Sequence, residues 1–254
     1  MRCLPLCLFL ACFITSCGSP SGENKSESSD TLPAPEISVE ATIPSGEKDE
    51  PGALELSLIA AGLVDIQSVL PEVFVDLKYS STDNFFKKDV YGDLENCYVQ
   101  PVVADMLRKA HDYLKEQHPE LTFQIYDGAR PQSVQQVLWD SLDKPDHLKR
   151  LYVAHPKKGS LHNYGVALDL TLADAQTGRM LDMGTGYDFF GYPAYPDREA
   201  QMMREGKITR EQVANREILR EAMHAGGFTG IGSEWWHFNA FSRKEAAKIF
   251  SMIK

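Results

Sequence analysis

An apolar run with one acid in its middle limits this chain more than any other stretch. Gly165-Val166-Ala167-Leu168-Asp169-Leu170-Thr171-Leu172 reads as a central strand buried on both faces. A carboxylate between two leucines is costly to desolvate unless something cationic meets it, and the strand offers no basic residue of its own. A metal ion would resolve that cost. His162 precedes Asp169 by seven positions, an odd gap that places two side chains on opposite faces of a continuous strand. His162 is therefore expected in a bend ahead of the strand, where Asn163-Tyr164-Gly165 lets the chain turn and Gly165 permits close backbone approach. Taken alone, a histidine at a strand mouth is more often a hydrogen-bonded structural residue.

Some seventy positions on, Glu234-Trp235-Trp236-His237 supplies a second carboxylate and imidazole, three apart. Two tryptophans would anchor this segment stiffly, which suits a rim of an aromatic cluster as well as a site. The spacing is not that of HExxH on a helix. Pooled, the two stretches offer two imidazoles and one carboxylate, enough for a three-ligand zinc site with an open position. The remaining carboxylate would handle the proton of a metal-bound water.

The cysteines push any metal onto these side chains. Cys3, Cys7 and Cys12 fall in an N-terminal apolar segment, Cys17 closes it, and only Cys97 remains beyond. A cysteine zinc site and a disulfide within the domain are both excluded. Residues 1–17, with Arg2 ahead of the apolar run Leu4 to Ile14 and small residues before Cys17, resemble a bacterial lipoprotein signal peptide, which implies Cys17 as the lipid acceptor. Residues 18–52 are rich in Ser, Glu, Pro, Gly and Thr and read as a disordered acidic tether. Residues 1–52 hold eight acids and three bases, half of the net charge of −10. The remaining domain, residues 53–254, is acidic without a basic stripe, which argues against nucleic acid as a partner.

Along that domain, Val73 to Tyr79 alternates as a strand and Val102 to Leu114 recurs at helical spacing. Leu121 to Tyr126 is a second strand, followed by a helix through Val134, Val137, Leu138 and Leu142. Residues 143–160 read as a loop, and Leu181 to Pro196 as an ordered loop beside the site. Asp197 to Ala225 is expected to be helical in two pieces around Gly206. Two short strands follow between Phe228 and Phe241, and Ser242 caps a last helix from Arg243 to Ile253. Strands and helices mix without a regular βαβ alternation, so the fold class is α+β, with a small central antiparallel sheet flanked by helices.

Five separated motifs, in order over roughly residues 63–241, carry a resemblance. They are Asp76-Leu77-Lys78-Tyr79 with Asp83-Asn84-Phe85, Asp127-Gly128-Ala129-Arg130-Pro131, Ser160-x-His162-x-x-Gly165-x-Ala167-x-Asp169, Asp182-Met183-Gly184-Thr185 with Asp188-Phe189-Phe190, and Glu234-Trp235-Trp236-His237. Together they resemble the zinc D-Ala-D-Ala peptidases related to hedgehog and lysostaphin-type domains, and among these the D-alanyl-D-alanine dipeptidases of the vancomycin-resistance type. The resemblance implies one zinc ion per chain on His162, Asp169 and His237, Glu234 as general base, and Arg130 steadying the oxyanion. It further implies Tyr79, Asp127 and Ser160 in the substrate pocket, and leaves Asp188 open between a pocket carboxylate and a loop cap.

The implied reaction is hydrolysis of D-Ala-D-Ala, or related D,D-dipeptides from peptidoglycan, by a zinc-dependent metallopeptidase. The alternatives are a D,D-carboxypeptidase acting on stem peptides and, in another class, a wall-binding domain that keeps zinc without turnover. Members best known for antibiotic resistance act in the cytoplasm. This chain is instead expected to be exported and lipid-anchored at the cell envelope, touching the membrane through its anchor alone and meeting dipeptides and other peptidoglycan fragments.

Overall fold

The computed structural model describes residues Glu50 to Lys254 apart from Leu151. The signal segment, Cys17 and all but the last three residues of the expected tether lie outside the described residues. In chain order the elements are α1 (Ala53–Ala60), β1 (Val64–Asp65), α2 (Ile66–Val69), β2 (Phe74–Val75), β3 (Tyr98–Val99), α3 (Pro101–Gln117) and β4 (Leu121–Asp127). There follow α4 (Gln132–Ser141), α5 (Asp146–Lys149), β5 (Ala167–Asp174), α6 (Glu199–Arg204), α7 (Arg210–Ala225), β6 (Thr229–Ile231), β7 (Glu234–Asn239) and α8 (Arg243–Ile249).

Five strands form one sheet in the order β2-β4-β5-β7-β6, while β1 and β3 make a separate antiparallel pair. The class is α+β. One edge departs from the antiparallel expectation, because β2 runs parallel to β4. That edge is also shorter than the alternation of Val73 to Tyr79 suggests. Only Phe74 and Val75 pair in register with β4, and the chain then tightens into a 3-10 turn at Lys78–Ser80.

Strand β5 sits in the middle and is buried along all but its last residue, which is why its sequence is almost continuously apolar. Alternation puts Leu168, Leu170 and Leu172 on one face and Asp169 and Thr171 on the other. Helix α3 packs on α7 and β4, and α7 reaches β5 and β6. Pro101 opens α3 at a position where its missing N–H costs nothing.

The two helical pieces expected before Gly226 are α6 and α7, and Thr209 starts the second with a capping box to Gln212. Ser242 caps α8 in the same way through Glu245. This last helix stops at Ile249, short of the expected Ile253. The tail instead docks as extended chain, with Ile253 N–H donating to the Asn163 carbonyl and Gln132 N–H donating to that of Ile253. The segment 143–160 is not wholly a loop, since it contains the single turn α5.

Candidate active site

Three adjacent strands present polar side chains in one row. Asp127 of β4 stands opposite Asp169 of β5, and Asp169 stands opposite His237 of β7. Directly opposed residues share a face, so the row points one way. Strand β4 shifts register between Ile125 and Asp127, an irregularity of the kind that re-aims a side chain beside a site. Another shift lies between β6 and β7, where Gly230 faces Phe238 but Ile231 faces Glu234. Regular alternation would send Glu234 and His237 to opposite faces. With that shift both line the same cavity.

His162 arrives as expected, from a 3-10 turn over Leu161–Tyr164 ahead of β5. Gly165 ends that turn at φ +67°, and a Cβ there would meet a Leu63 methyl at 3.0 Å, so glycine answers both the left-handed backbone and the crowding. The His162 ring closes on the row: Nε2 lies 3.2 Å from His237 Nδ1 and 3.4 Å from Asp169 Oδ1. His237 Nδ1 is 2.9 Å from the same Asp169 oxygen.

Each of these groups is held from behind. His162 Nδ1 is 2.7 Å from the Gly128 carbonyl, which can only accept, so the proton sits on Nδ1 and Nε2 offers a lone pair. Gly128 itself permits this approach, since a Cβ there would meet Cys97 Sγ at 2.6 Å. His237 Nε2 is 2.9 Å from Asn239 Oδ1, which leaves Nδ1 for the centre, and Tyr187 donates its hydroxyl to the outer Asp169 oxygen at 2.9 Å. Asn239 reaches His237 because residues two apart on a strand share a face.

The charges of Asp169 and His237 depend on each other. Burial pulls the His237 pKa down, yet the hydrogen bond and charge of Asp169 outweigh it and leave it at about 9. Burial would raise Asp169, and the two histidines hold it far below the usual carboxylate range instead. Asp169 thus keeps its negative charge despite burial, as a carboxylate ligand to a cation must. Two imidazole nitrogens and one carboxylate oxygen, with all three donor atoms within 4.8 Å of one another and their outer atoms hydrogen-bonded, fit a tetrahedral zinc site that keeps a fourth position open.

The cluster opens into a cavity of about 200 Å³. Glu234 stands beside it with Oε2 3.9 Å from His237 Nδ1, and burial raises its pKa above the ordinary glutamate range. Arg130 also lines the cavity. Its guanidinium donates from Nε and Nη2 to Asp127 and from Nη1 to Gln135, and stacks over the Tyr79 ring at 4.8 Å. Of its five N–H groups, three are used in these bonds, which leaves two on a side chain that lines the cavity. Its partner is neither exposed nor ordinary: the ion pair is buried, and against that burial Asp127, joined by Tyr79, Tyr91 and Tyr187, holds the Arg130 pKa well above its ordinary value.

Tyr79 and Ser160 line the cavity, and Ser160 Oγ is buried with no hydrogen-bond partner among the described residues. Asp127 does not line it, contrary to the expectation for this residue. It is fully buried behind Arg130, with Oδ1 taken by the Tyr91 hydroxyl and the Gly128 N–H and Oδ2 by Arg130. The residue the sequence left undecided does enter the cavity. Asp188 sits at φ +57°, which aspartate tolerates better than most residues, and accepts from the Tyr79 hydroxyl at 3.1 Å. Burial and then the charge of Asp169 push its pKa well up.

Sequence reasoning also passed over Tyr187, Asn239 and Gln135, which hold Asp169, His237 and Arg130. Only Asn239 carried a signal, its two-residue spacing from His237 on a strand. Histidines 111, 118, 147, 155 and 224 stay outside the cavity.

A family model described as D-ala-D-ala dipeptidase matches residues 59–254. The chain belongs to this family. It is accordingly a metallopeptidase, and its relatives include the D-alanyl-D-alanine dipeptidase of Escherichia coli (strain K12), 35% identical over 176 residues that cover 69% of this chain and 83% of that one. Another is the D-alanyl-D-alanine dipeptidase of Enterococcus faecium, 28% identical over 70% of this chain and 90% of that one. Among solved structures, the LdcB LD-carboxypeptidase aligns at 19% identity and TM-score 0.36, covering 60% of this chain and 63% of that one. VanYB in complex with D-Alanine-D-Alanine aligns at 16% identity and TM-score 0.35, covering 60% and 77%.

Proposed function

We propose that this family member is a zinc-dependent D,D-dipeptidase that hydrolyses free D-Ala-D-Ala, or closely related D,D-dipeptides, to free amino acids. The observation that carries this reading is the convergence of His162 Nε2, Asp169 Oδ1 and His237 Nδ1 at the floor of a cavity of about 200 Å³ walled by Glu234, Arg130 and Asp188. That volume is below the roughly 300–1,000 Å³ of pockets for drug-sized ligands, which suits a very small substrate.

His162, Asp169 and His237 would hold one zinc ion per chain. When bound, the metal acidifies a water and polarises the scissile carbonyl. Glu234 accepts the proton of the attacking water; its burial, which disfavours the charged form, makes it readier to take that proton. The same carboxyl then delivers the proton to the departing amine, so water adds across the peptide bond with no net proton change at Glu234. The two remaining N–H groups of Arg130 face the carbonyl oxygen as it gains charge, and Asp127 and Gln135 keep the guanidinium from moving.

A dipeptide also brings a free amine and a free carboxylate. Asp188, desolvated and braced by Tyr79, is the group for the ammonium. The buried Ser160 hydroxyl, which lines the cavity, is a donor for the carboxylate. Recognition of both ends favours a dipeptidase over a D,D-carboxypeptidase, whose substrate has no ammonium at that position. Substrates of an exported, lipid-anchored chain would be dipeptides released from peptidoglycan, with Cys17 as the anchor. Among the described residues no helix is long and apolar enough to cross a membrane.

The deciding experiment measures amino-acid release from free D-Ala-D-Ala, L-Ala-L-Ala and a stem pentapeptide ending in D-Ala-D-Ala, each with and without a chelator. Chelator-sensitive cleavage of the free D,D-dipeptide alone is the expected result. Comparable cleavage of the pentapeptide would move the function to carboxypeptidase, and no turnover by zinc-loaded protein would leave a binding domain.

A further inference from the structure

The dipeptidase reading requires that something stop a longer peptide from entering, and the structure offers a thin barrier. Next to the catalytic cavity lies a second one of about 290 Å³, lined by Tyr152, Phe190, Gly191, Tyr192 and Tyr195. Tyr152 and Phe190 line both cavities. Their rings meet edge to face with centroids 4.9 Å apart. The two side chains shared by the cavities come from two different loops.

A chain of ring contacts shows on which side of the substrate this partition stands. Phe190 packs edge to face on Phe85 at 4.9 Å, Phe85 on Phe86 at 4.3 Å, and Phe86 stacks on Tyr79 at 5.5 Å. Tyr79 in turn donates to Asp188, two residues before Phe190 on the same loop. The arc of rings therefore begins and ends around Asp188, the group for the substrate's ammonium. A residue attached to that nitrogen would have to pass through this arc. Beyond it the outer cavity is walled by tyrosines, and Tyr192, 55% exposed, borders it on the solvent side.

We infer that the Tyr152–Phe190 ring pair is the specificity-determining wall that ends the catalytic cavity on the amine side and restricts the enzyme to dipeptides. This rests on the dipeptidase reading and deepens it. Removing either ring joins the two cavities and gives a residue N-terminal to D-Ala-D-Ala a place to lie. A site that rejects an extended substrate by steric closure gains it when the obstacle goes, whereas backbone closure would not yield to one side chain.

The test compares zinc-loaded full-length wild type with Phe190→Ala and Tyr152→Ala, using D-Ala-D-Ala, L-Lys-D-Ala-D-Ala and D-Ala-D-Ala-Gly. Thermal midpoint and zinc content establish that each variant is folded, and because the two rings come from different loops, loss of one variant leaves the other. Expected is a rise of about tenfold or more in tripeptide-to-dipeptide kcat/KM for L-Lys-D-Ala-D-Ala in both variants. Phe190→Leu should show less of that rise. Phe189→Ala, on the same loop but lining neither cavity, should leave the ratio unchanged.

Calorimetric binding of L-Lys-D-Ala-D-Ala in a Glu234→Gln background supplies a readout without turnover, with tighter binding expected once Phe190 is removed. Unchanged ratios and unchanged binding in folded, zinc-loaded variants would overturn the wall. A gain on D-Ala-D-Ala-Gly alone would overturn its assignment to the amine side. Failure of wild type to cleave D-Ala-D-Ala would instead defeat the dipeptidase reading, and the binding comparison would still decide whether these rings separate the cavities.

Discussion

The floor of the cavity and its roof are built by different means. At the floor, Asp169 and His237 are placed by strand register, and each donor has a second hydrogen bond: His162 to the Gly128 carbonyl, His237 to Asn239, Asp169 to Tyr187. At the roof, Tyr152, Phe190, Phe85 and Phe86 meet through ring-to-ring packing between loops. The contrast teaches that the chemistry is tied to backbone and hydrogen bonds of fixed direction, while selectivity is left to side chains that can be exchanged without moving the centre.

If that division holds, changes at the floor should abolish turnover and changes at the roof should redirect it. The largest effect is expected from His162→Ala, which should lose both bound zinc, measured by metal analysis, and dipeptide hydrolysis. Glu234→Ala should keep the metal and lose about 10²–10⁴-fold in rate, the range for a positioned acid or base. Near wild-type turnover by that variant would remove Glu234 from its role. Arg130→Lys keeps a charge but not the fork shared with Asp127 and Gln135, and should cost about 10²–10³-fold in kcat, the scale of one lost donor to developing charge.

Smaller effects should follow from the outer supports. Asn239→Ala is expected to weaken zinc affinity about 10–100-fold in competition with a chelator, as loss of a ligand's hydrogen-bond partner does elsewhere. Asp188 predicts a pH effect of definite sign. Because its pKa is raised, it takes up a proton at a pH where an ordinary aspartate is still charged, so KM for the dipeptide should rise as pH falls through that value. Asp188→Asn should leave KM high throughout and erase that limb. The smallest change is expected for Phe189→Ala, 44% exposed, with stability altered by no more than about 0.5 kcal/mol in denaturant titration.

Much of the floor was legible in the sequence because it depends on local rules. A buried acid in an apolar run and a histidine an odd number of residues away sufficed to place His162 in a bend before β5. The cap at Ser242 and the break at Gly206 were equally local. What could not be read was set by pairing between distant segments. The parallel edge β2, the shifts in β4 and β7, and the retreat of Asp127 behind Arg130 all depend on which residue stands across the sheet, a quantity no window of sequence contains. Tyr187 and Asp188 were obscured for a related reason, since their loop is shaped by contacts with Asp169 and Tyr79 far along the chain.

The row Asp127–Asp169–His237 has a bearing on how the molecule comes to be folded at all. Asp169 and His237 are 68 residues apart, so their meeting is a long-range contact of the kind whose loop closure slows folding. A slip of one residue between β5 and β7 would turn His237 to the other face, away from Asp169 and His162. Only the native alignment creates a place where a cation is held by three donors. Zinc would therefore act as a proofreader during folding, withdrawing correctly aligned chains from the pool of slipped ones by mass action.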